Sequence, residues 1–240
     1  GGRVISHKRF GTAKWQIAKI ADELAKVLED KNGQMINASD FPEFLDLVSA
    51  RREFYSAPTV LPTVERGSIK LDLHRRDFTI NTLALRLDGN HYGELHDYWG
   101  GMDDLNQGLL RVLHSLSFVD DPTRILRAVR FEKRFDYEIE PRTLELLENA
   151  LQLLDKVSGD RIRHELSRIL QEGNSMPTLH RLESLGVLSA IHPDLIFNSD
   201  IEKRIVLKDN TPSDKWEFEP VSEQFPVQLA IAYSLWLHSL

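Results

Sequence analysis

The hydrophobic rhythm of this chain changes once, at Gly100-Gly101, and that change limits what it can fold into. Before the pair, two-residue alternation and helical spacing take turns. Thr12 to Ile17 alternates, with Ala13, Trp15 and Ile17 against Thr12, Lys14 and Gln16, which predicts a half-buried strand. Ile17, Ile20, Leu24, Val27 and Leu28 then recur at helical spacing until Asn32-Gly33 supplies a stop. Phe44 to Ser49 reads as a short strand, Pro58 and Pro62 mark an extended loop, and Asp72 to Asn81 reads as a helix or tight polar turn. Leu83–Leu87 and Tyr92–Leu95 flank Asp88-Gly89, a hairpin signal. After the glycine pair the pattern is helical, near 122–135, 141–155, 159–172, 176–185 and 226–240, with Gly186 closing one helix. Residues 198–225 are polar, contain Pro212 and Pro220, and read as a surface loop. The expected fold class is α+β, a mixed head followed by an all-helical remainder, with the boundary near residue 105.

A chain of 240 residues with 41% hydrophobic content can bury a core. The longest apolar candidate, Leu229 to Leu240, is too short to span a bilayer and carries Tyr233 and His238, so no membrane partner is expected. Cysteine is absent, which excludes disulfides, thiolate metal sites and thiol nucleophiles, and fits a reducing cytoplasm. The net charge of −7 argues against a general nucleic-acid binder. The arginines are nevertheless concentrated at Arg75-Arg76 and at Arg124, Arg127, Arg130 and Arg134. A local cationic strip on an acidic protein suits a phosphate-bearing small ligand better than duplex DNA. The nine histidines give no metal-ligand pair at i,i+4, and His180 and His192 read as structural or solvent-facing.

Three segments hold residue types that could do chemistry. In Arg75-Arg76-Asp77-Phe78-Thr79-Ile80-Asn81, guanidinium forks match phosphate oxygens while Asp77 and Asn81 match sugar hydroxyls. The plain alternative is a solvated helix start capped locally by Asp77. In Asp120-Asp121-Pro122-Thr123-Arg124 through Phe131, the acids and proline mark a helix start. Asp121, Arg124, Arg127 and Arg130 then climb one side, each step rotating about 60°. Asp120 could cap this helix, leaving Asp121 another task. The plain alternative is a surface face on which Asp121 and Arg124 form an i,i+3 ion pair. Asp46, in the middle of Phe44-Leu45-Asp46-Leu47-Val48, is costly to bury unless paired or metal-bound; otherwise it faces water from an edge strand.

Taken in order, these stretches resemble the class II tRNA nucleotidyltransferases and the related bacterial poly(A) polymerases. The text that carries the resemblance is Arg9-Phe10-Gly11-Thr12-Ala13, Asp46 through Tyr55 with Pro58 and Pro62, and Asp72 through Asn81. It continues with Asp97-Tyr98-Trp99-Gly100-Gly101, Asp104-Leu105 and Asp120 through Phe131. The resemblance implies a polymerase-β-like head over 1–104, a helical neck over 105–172 and the start of a helical body over 173–240. It implies addition of CCA, or of a terminal A, to tRNA 3′ ends from CTP and ATP with Mg2+. Arg76, Asp77 and Asn81 would contact ribose and phosphates. Asp121 and Arg124 would select the base, with Arg127 and Arg130 toward phosphates.

The selection has a hydrogen-bond logic. Adenine and cytosine each offer an amino donor beside a ring-nitrogen acceptor, whereas a carboxylate only accepts and a guanidinium only donates. Guanine and uracil would set acceptor against acceptor and donor against donor, and unpaired buried groups give strong rejection. The family opens with a Gly-Gly turn followed by Arg-Asp and with an Asp-x-Asp strand that binds two magnesium ions. Gly1-Gly2-Arg3 has no Asp after it and matches instead a glycine pair ahead of the Arg9–Ala13 strand. The expectation is therefore a head cut at its N-terminus, inactive as it stands, with no catalytic or metal residue among these positions, and with a helical insertion at 17–32. Both ends read as cuts. The other readings are a poly(A) polymerase and a non-catalytic RNA-binding module.

Overall fold

The computed structural model describes residues 3–7, 11–32, 35, 37–54, 63–206, 233, 234, 236 and 237. Arg9, Phe10, the stretch with Pro58 and Pro62, and most of the helix expected at 226–240 lie outside the described residues. The chain divides into two compact units, Gly1–Phe54 with Thr63–Asp72, and Tyr55–Pro62 with Leu73–Leu240. The break in packing thus falls at 72/73, upstream of the change in sequence rhythm.

The first unit is built on a three-stranded antiparallel sheet, β1 (Val4–His7), β2 (Thr12–Gln16) and β3 (Phe44–Val48), with β2 in the middle. Helix α1 (Ala21–Asn32) occupies the connection between β2 and β3, where Ile17 and Ala21 are buried. Asp46 sits opposite Lys14 on the edge strand β3 and is exposed, so its carboxylate meets no desolvation problem. Strands β4 (Arg51–Phe54) and β5 (Thr63–Arg66) pair antiparallel, and an Arg52–Glu65 ion pair joins opposing residues at 2.6 Å. Helix α2 (Ile69–His74) follows, and Asp72 Oδ1 accepts the Arg51 N–H at 3.1 Å.

The second unit begins with a turn through Phe78 and a 3-10 segment, Thr79–Asn81. The expected hairpin is present but short: β6 (Ala84–Leu85) pairs with β7 (Leu95–His96) around Gly89 at φ 52°. Helix α3 (Gly101–Gln107) comes next. Its start is capped by Asp97, whose Oδ1 accepts the Gly101 N–H at 2.8 Å and whose Oδ2 accepts the Met102 N–H at 2.9 Å. Gly101 must be glycine for steric reasons, since a Cβ there would lie 2.3 Å from the Thr79 carbonyl oxygen. The turn is held from the other side as well. The Thr79 hydroxyl donates to Asp104 Oδ2 at 2.6 Å, its N–H donates to the Arg111 carbonyl at 2.9 Å, and Arg111 Nε reaches Asp104 Oδ2 at 3.1 Å.

Strand β8 (Leu109–Leu110) pairs in parallel with β9 (Glu138–Ile139), and between them run α4 (Ser117–Asp120) and α5 (Thr123–Phe135). Then come α6 (Pro141–Ala150), a 3-10 extension to Lys156, α7 (Gly159–Leu170), α8 (Met176–Ser184) and α9 (Val187–Ile191). Gly186 at φ 71° separates α8 from α9, as the sequence predicts. One buried cluster runs from Phe78 through Ile125, Val129, Leu147, Ile169 and Leu182 to Ile205. The loop expected over 198–225 requires correction at its start, because Ser199–Val206 forms helix α10. Asn198 Oδ1 caps it by accepting the Asp200 and Ile201 N–H groups at 3.1 and 3.0 Å, and Ile201 and Ile205 are buried at i,i+4 spacing. Among the described residues no helix is long and apolar enough to cross a membrane.

Candidate functional site

Helix α5 stands in the core of the second unit. Ile125, Leu126, Ala128 and Val129 are fully buried, which fixes the rotation of the helix and hence the direction of its arginines. Its start is organised by acids, and the cap comes from Asp121 where Asp120 was expected to supply it. Asp121, in extended backbone at φ −142° and ψ 94°, caps the helix: its Oδ1 accepts the Thr123 N–H at 3.0 Å and the Thr123 hydroxyl at 2.6 Å. Asp120 instead ends α4 and faces His114 Nε2 at 3.9 Å.

Arg124 is only 6% exposed. Its Nη1 donates to Ser117 Oγ at 2.7 Å and its Nη2 donates to the Arg75 carbonyl at 2.8 Å. Both acceptors are neutral, and among the described residues no carboxylate pairs with this buried cation. No ion pair joins Asp121 to Arg124; the Asp121 carboxylate pairs with Arg161 of α7, at 2.7 Å from Nη2 to Oδ1. Ser117, Arg161 and His114 are the site residues that the sequence left unmarked. A polar strip at i,i+3 and i,i+4 spacing, Arg161, Glu165 and Arg168 on α7 with Glu172 just beyond its end, was an available signal for Arg161, because Glu165 interrupts an otherwise apolar face.

The remaining arginines of the ladder diverge. Arg127 forms an ion pair with buried Asp77, charge facing charge without an in-line hydrogen bond to Oδ2. Asp77 Oδ1 accepts the Phe78 N–H at 3.0 Å and the Asn81 amide at 2.8 Å, so Asp77 and Asn81 brace the turn they sit on. Arg76 is exposed on the same turn. The Arg75 carbonyl and Asp77 therefore tie the 75–81 segment to α5 at two points, bringing together two of the three segments singled out by composition. Arg130, also 6% exposed, is turned inward: Nη1 donates to Glu172 Oε1 at 3.3 Å and Nη2 lies 3.9 Å from Glu165 Oε2. His114 stacks on His74 at 5.5 Å between ring centroids. Burial holds the His114 imidazole below its ordinary pKa, Asp120 opposes that shift, and Arg124 and His74 add to it.

Known proteins are similar to this chain over most of its length. The family described as "Poly A polymerase head domain" matches residues 11–111, and the one described as "Probable RNA and SrmB-binding site of polymerase A" matches 136–197. The A-adding tRNA nucleotidyltransferase of Geobacter sulfurreducens is 44% identical over 82% of this chain. That of Halalkalibacterium halodurans is 40% identical over 80%. The solved apo form II of a CCA-adding enzyme superposes with a TM-score of 0.76 at 33% identity over 100% of the chain. The chain belongs to the tRNA nucleotidyltransferase/poly(A) polymerase family. It spans 20% and 40% of the lengths of the two A-adding relatives and 51% of the solved CCA-adding enzyme.

The expected α+β class, with a nucleotidyltransferase head fold leading into helices, is that of these relatives. A nucleotidyltransferase of this family implies a divalent metal ion. Among the described residues, however, no group of three or more His, Cys, Asp or Glu side chains is placed to hold a metal ion. Exposed Asp46, facing Lys14 in register, does not make a two-metal centre with its neighbours. The described side chains do not fit such an ion.

Proposed function

We propose that this chain supplies the base-selecting part of an RNA nucleotidyltransferase that adds the terminal adenosine to tRNA 3′ ends from ATP. The observation that carries the reading is the separation of Asp121 from Arg124. Each is held by other groups, so neither neutralises the other. Oδ1 of Asp121 is fully occupied, whereas Oδ2 accepts nothing among the described residues. That oxygen can take the exocyclic amino hydrogen of adenine while a remaining Arg124 N–H donates to the adjacent ring nitrogen. Cytosine presents the same two-atom edge, so CTP fits this site; the A-adding names of the relatives favour ATP as the substrate that is transferred. Guanine and uracil would face like against like, and such a mismatch in a buried site is rejected strongly.

Around the base, Asp77, Asn81 and Arg76 lie on one turn tied to α5, a placement that suits them to the ribose and phosphates. Arg127, about one-third exposed, can offer N–H groups beyond its Asp77 pair, while Arg130 is surrounded by glutamates and serves phosphates less well. The RNA would be held by the segment matched as an RNA-binding site, over 136–197. Its Mg2+ would need carboxylates besides those described, and a tRNA substrate would suit an activity in the cytoplasm. The test is incorporation of labelled AMP into a tRNA lacking its last adenosine, by the full-length gene product with and without Asp121→Asn. An amide at this position can turn a donor toward the base, and the preference for ATP over GTP should fall by at least about tenfold. An unaltered preference would refute the reading.

A further inference from the structure

Asp121 can read a base only if it is kept from its neighbour. A carboxylate and a guanidinium three residues apart at a helix start are within reach of each other, and pairing is the default for such charges. Here that pairing is absent. Thr123, two residues on, supplies two donors to Oδ1, a local turn that anchors the carboxylate but leaves it free to swing about its own bonds. The third donor comes from 40 residues away: Arg161 Nη2 at 2.7 Å, with a longer contact of 3.5 Å to the Thr123 hydroxyl. Arg161 projects from the first turn of α7, whose Ile162, Leu166 and Ile169 are buried in the core, so its origin is fixed.

The geometry points to Arg161 as a positioning residue for base selection. It competes with Arg124 for the Asp121 carboxylate and wins, leaving Oδ2 and the spare Arg124 donors free for the base. Ser117 and the Arg75 carbonyl do the matching task for Arg124. A charged donor on one oxygen is a strong bond and sets the carboxylate plane as well as its position. Without Arg161, Asp121 swings onto Arg124, the two selectors satisfy each other, and discrimination falls although both remain in place. Arg161 itself touches no base. It acts from the segment that matches an RNA-binding family, so the element that would hold the RNA also sets the nucleotide reader.

This inference rests on the proposed role of Asp121, and the experiment separates the two. Full-length gene product carrying Asp121→Asn, Arg161→Met or Arg161→Lys is assayed for KM and kcat with ATP and with GTP, alongside thermal unfolding. Arg161→Met should lower the ATP-over-GTP ratio of kcat/KM by roughly tenfold, the worth of one charge-assisted bond, with the larger part in KM. Arg161→Lys, which keeps a charged donor, should recover much of the ratio. If Asp121→Asn leaves the ratio unchanged, the function reading fails. If Asp121→Asn lowers it while Arg161→Met does not, the positioning role alone fails. If Arg161→Met lowers the ratio only by unfolding the protein, or Lys recovers nothing, Arg161 is a structural or shape-dependent residue and the inference is overturned.

Discussion

Arg124 and Arg130 lie on one helix, are equally buried, and sit in opposite electrostatic surroundings. Arg124 meets a hydroxyl and backbone carbonyls, all neutral. Arg130 meets Glu165 and Glu172, and those acids also draw in Arg168 and Arg134 at 3.8 and 3.7 Å. A buried cation opposite carboxylates is finished as a ligand: its charge is offset and its role is to bind α5 to α7 and the turn beyond it. A buried cation held by dipoles keeps its net charge, and with it the capacity to attract an electron-rich partner. The same residue type on the same helix is thus ion-paired at Arg130 and held only by dipoles at Arg124.

The sharpest way to break this comparison is to remove each cation in turn. Arg130→Met leaves buried Glu165 and half-buried Glu172 with only the more exposed Arg168 and Arg134 and should cost about 3–5 kcal/mol in urea unfolding, because breaking a buried pair leaves a poorly compensated charge. Arg124→Met leaves only neutral acceptors behind and should cost about 1–2 kcal/mol while abolishing the preference for ATP. Equal losses of stability would erase the distinction. Gly101→Ala falls between the two in stability, because the new Cβ runs into the Thr79 carbonyl and forces the turn that carries Arg75 away from α5. About 2–3 kcal/mol of overpacking is expected from thermal unfolding, with weakened ATP binding following from the displaced carbonyl.

The smallest expected effect is a titration. Burial depresses the His114 pKa first, and the uncompensated charge of Arg124 adds to it. The folded state therefore binds its proton less readily than the unfolded chain, so the contribution of His114 is present above the unfolded value of 6.5 and is lost as pH falls through that value toward the depressed one. Asp120, Arg124 and His74 are the charged or titratable groups acting on it. In Arg124→Met the His114 resonance, followed by NMR, should titrate at higher pH; an unmoved midpoint would mean that Arg124 carries no net field there.

The helices were legible because buried Ile, Leu and Val recur at a period that only a helix can satisfy, and because Asn, Gly and Pro punctuate their ends. Helix α10 escaped since its apolar face consists of two isoleucines inside an acidic, polar stretch. Periodicity placed Asp121, Arg124, Arg127 and Arg130 on one side of α5, and it said nothing of what stands opposite. The partners of these residues come from Arg75, Asp77, Ser117, Arg161, Glu165 and Glu172, brought up by packing between segments distant in sequence. The cap comes from Asp121 and not from Asp120 for a local reason: the proline that opens α5 puts the residue directly before it in extended backbone, where its side chain turns back to cap.

The close approach at Gly101 has a practical corollary for anyone wishing to retune which nucleotide is accepted. Diversity libraries should leave position 101 invariant, since every substitution there strains the turn against the Thr79 carbonyl and confounds specificity with stability. Position 161, about one-third exposed and reaching in from another helix, offers the opposite prospect. It is a dial that can be turned without dismantling the instrument.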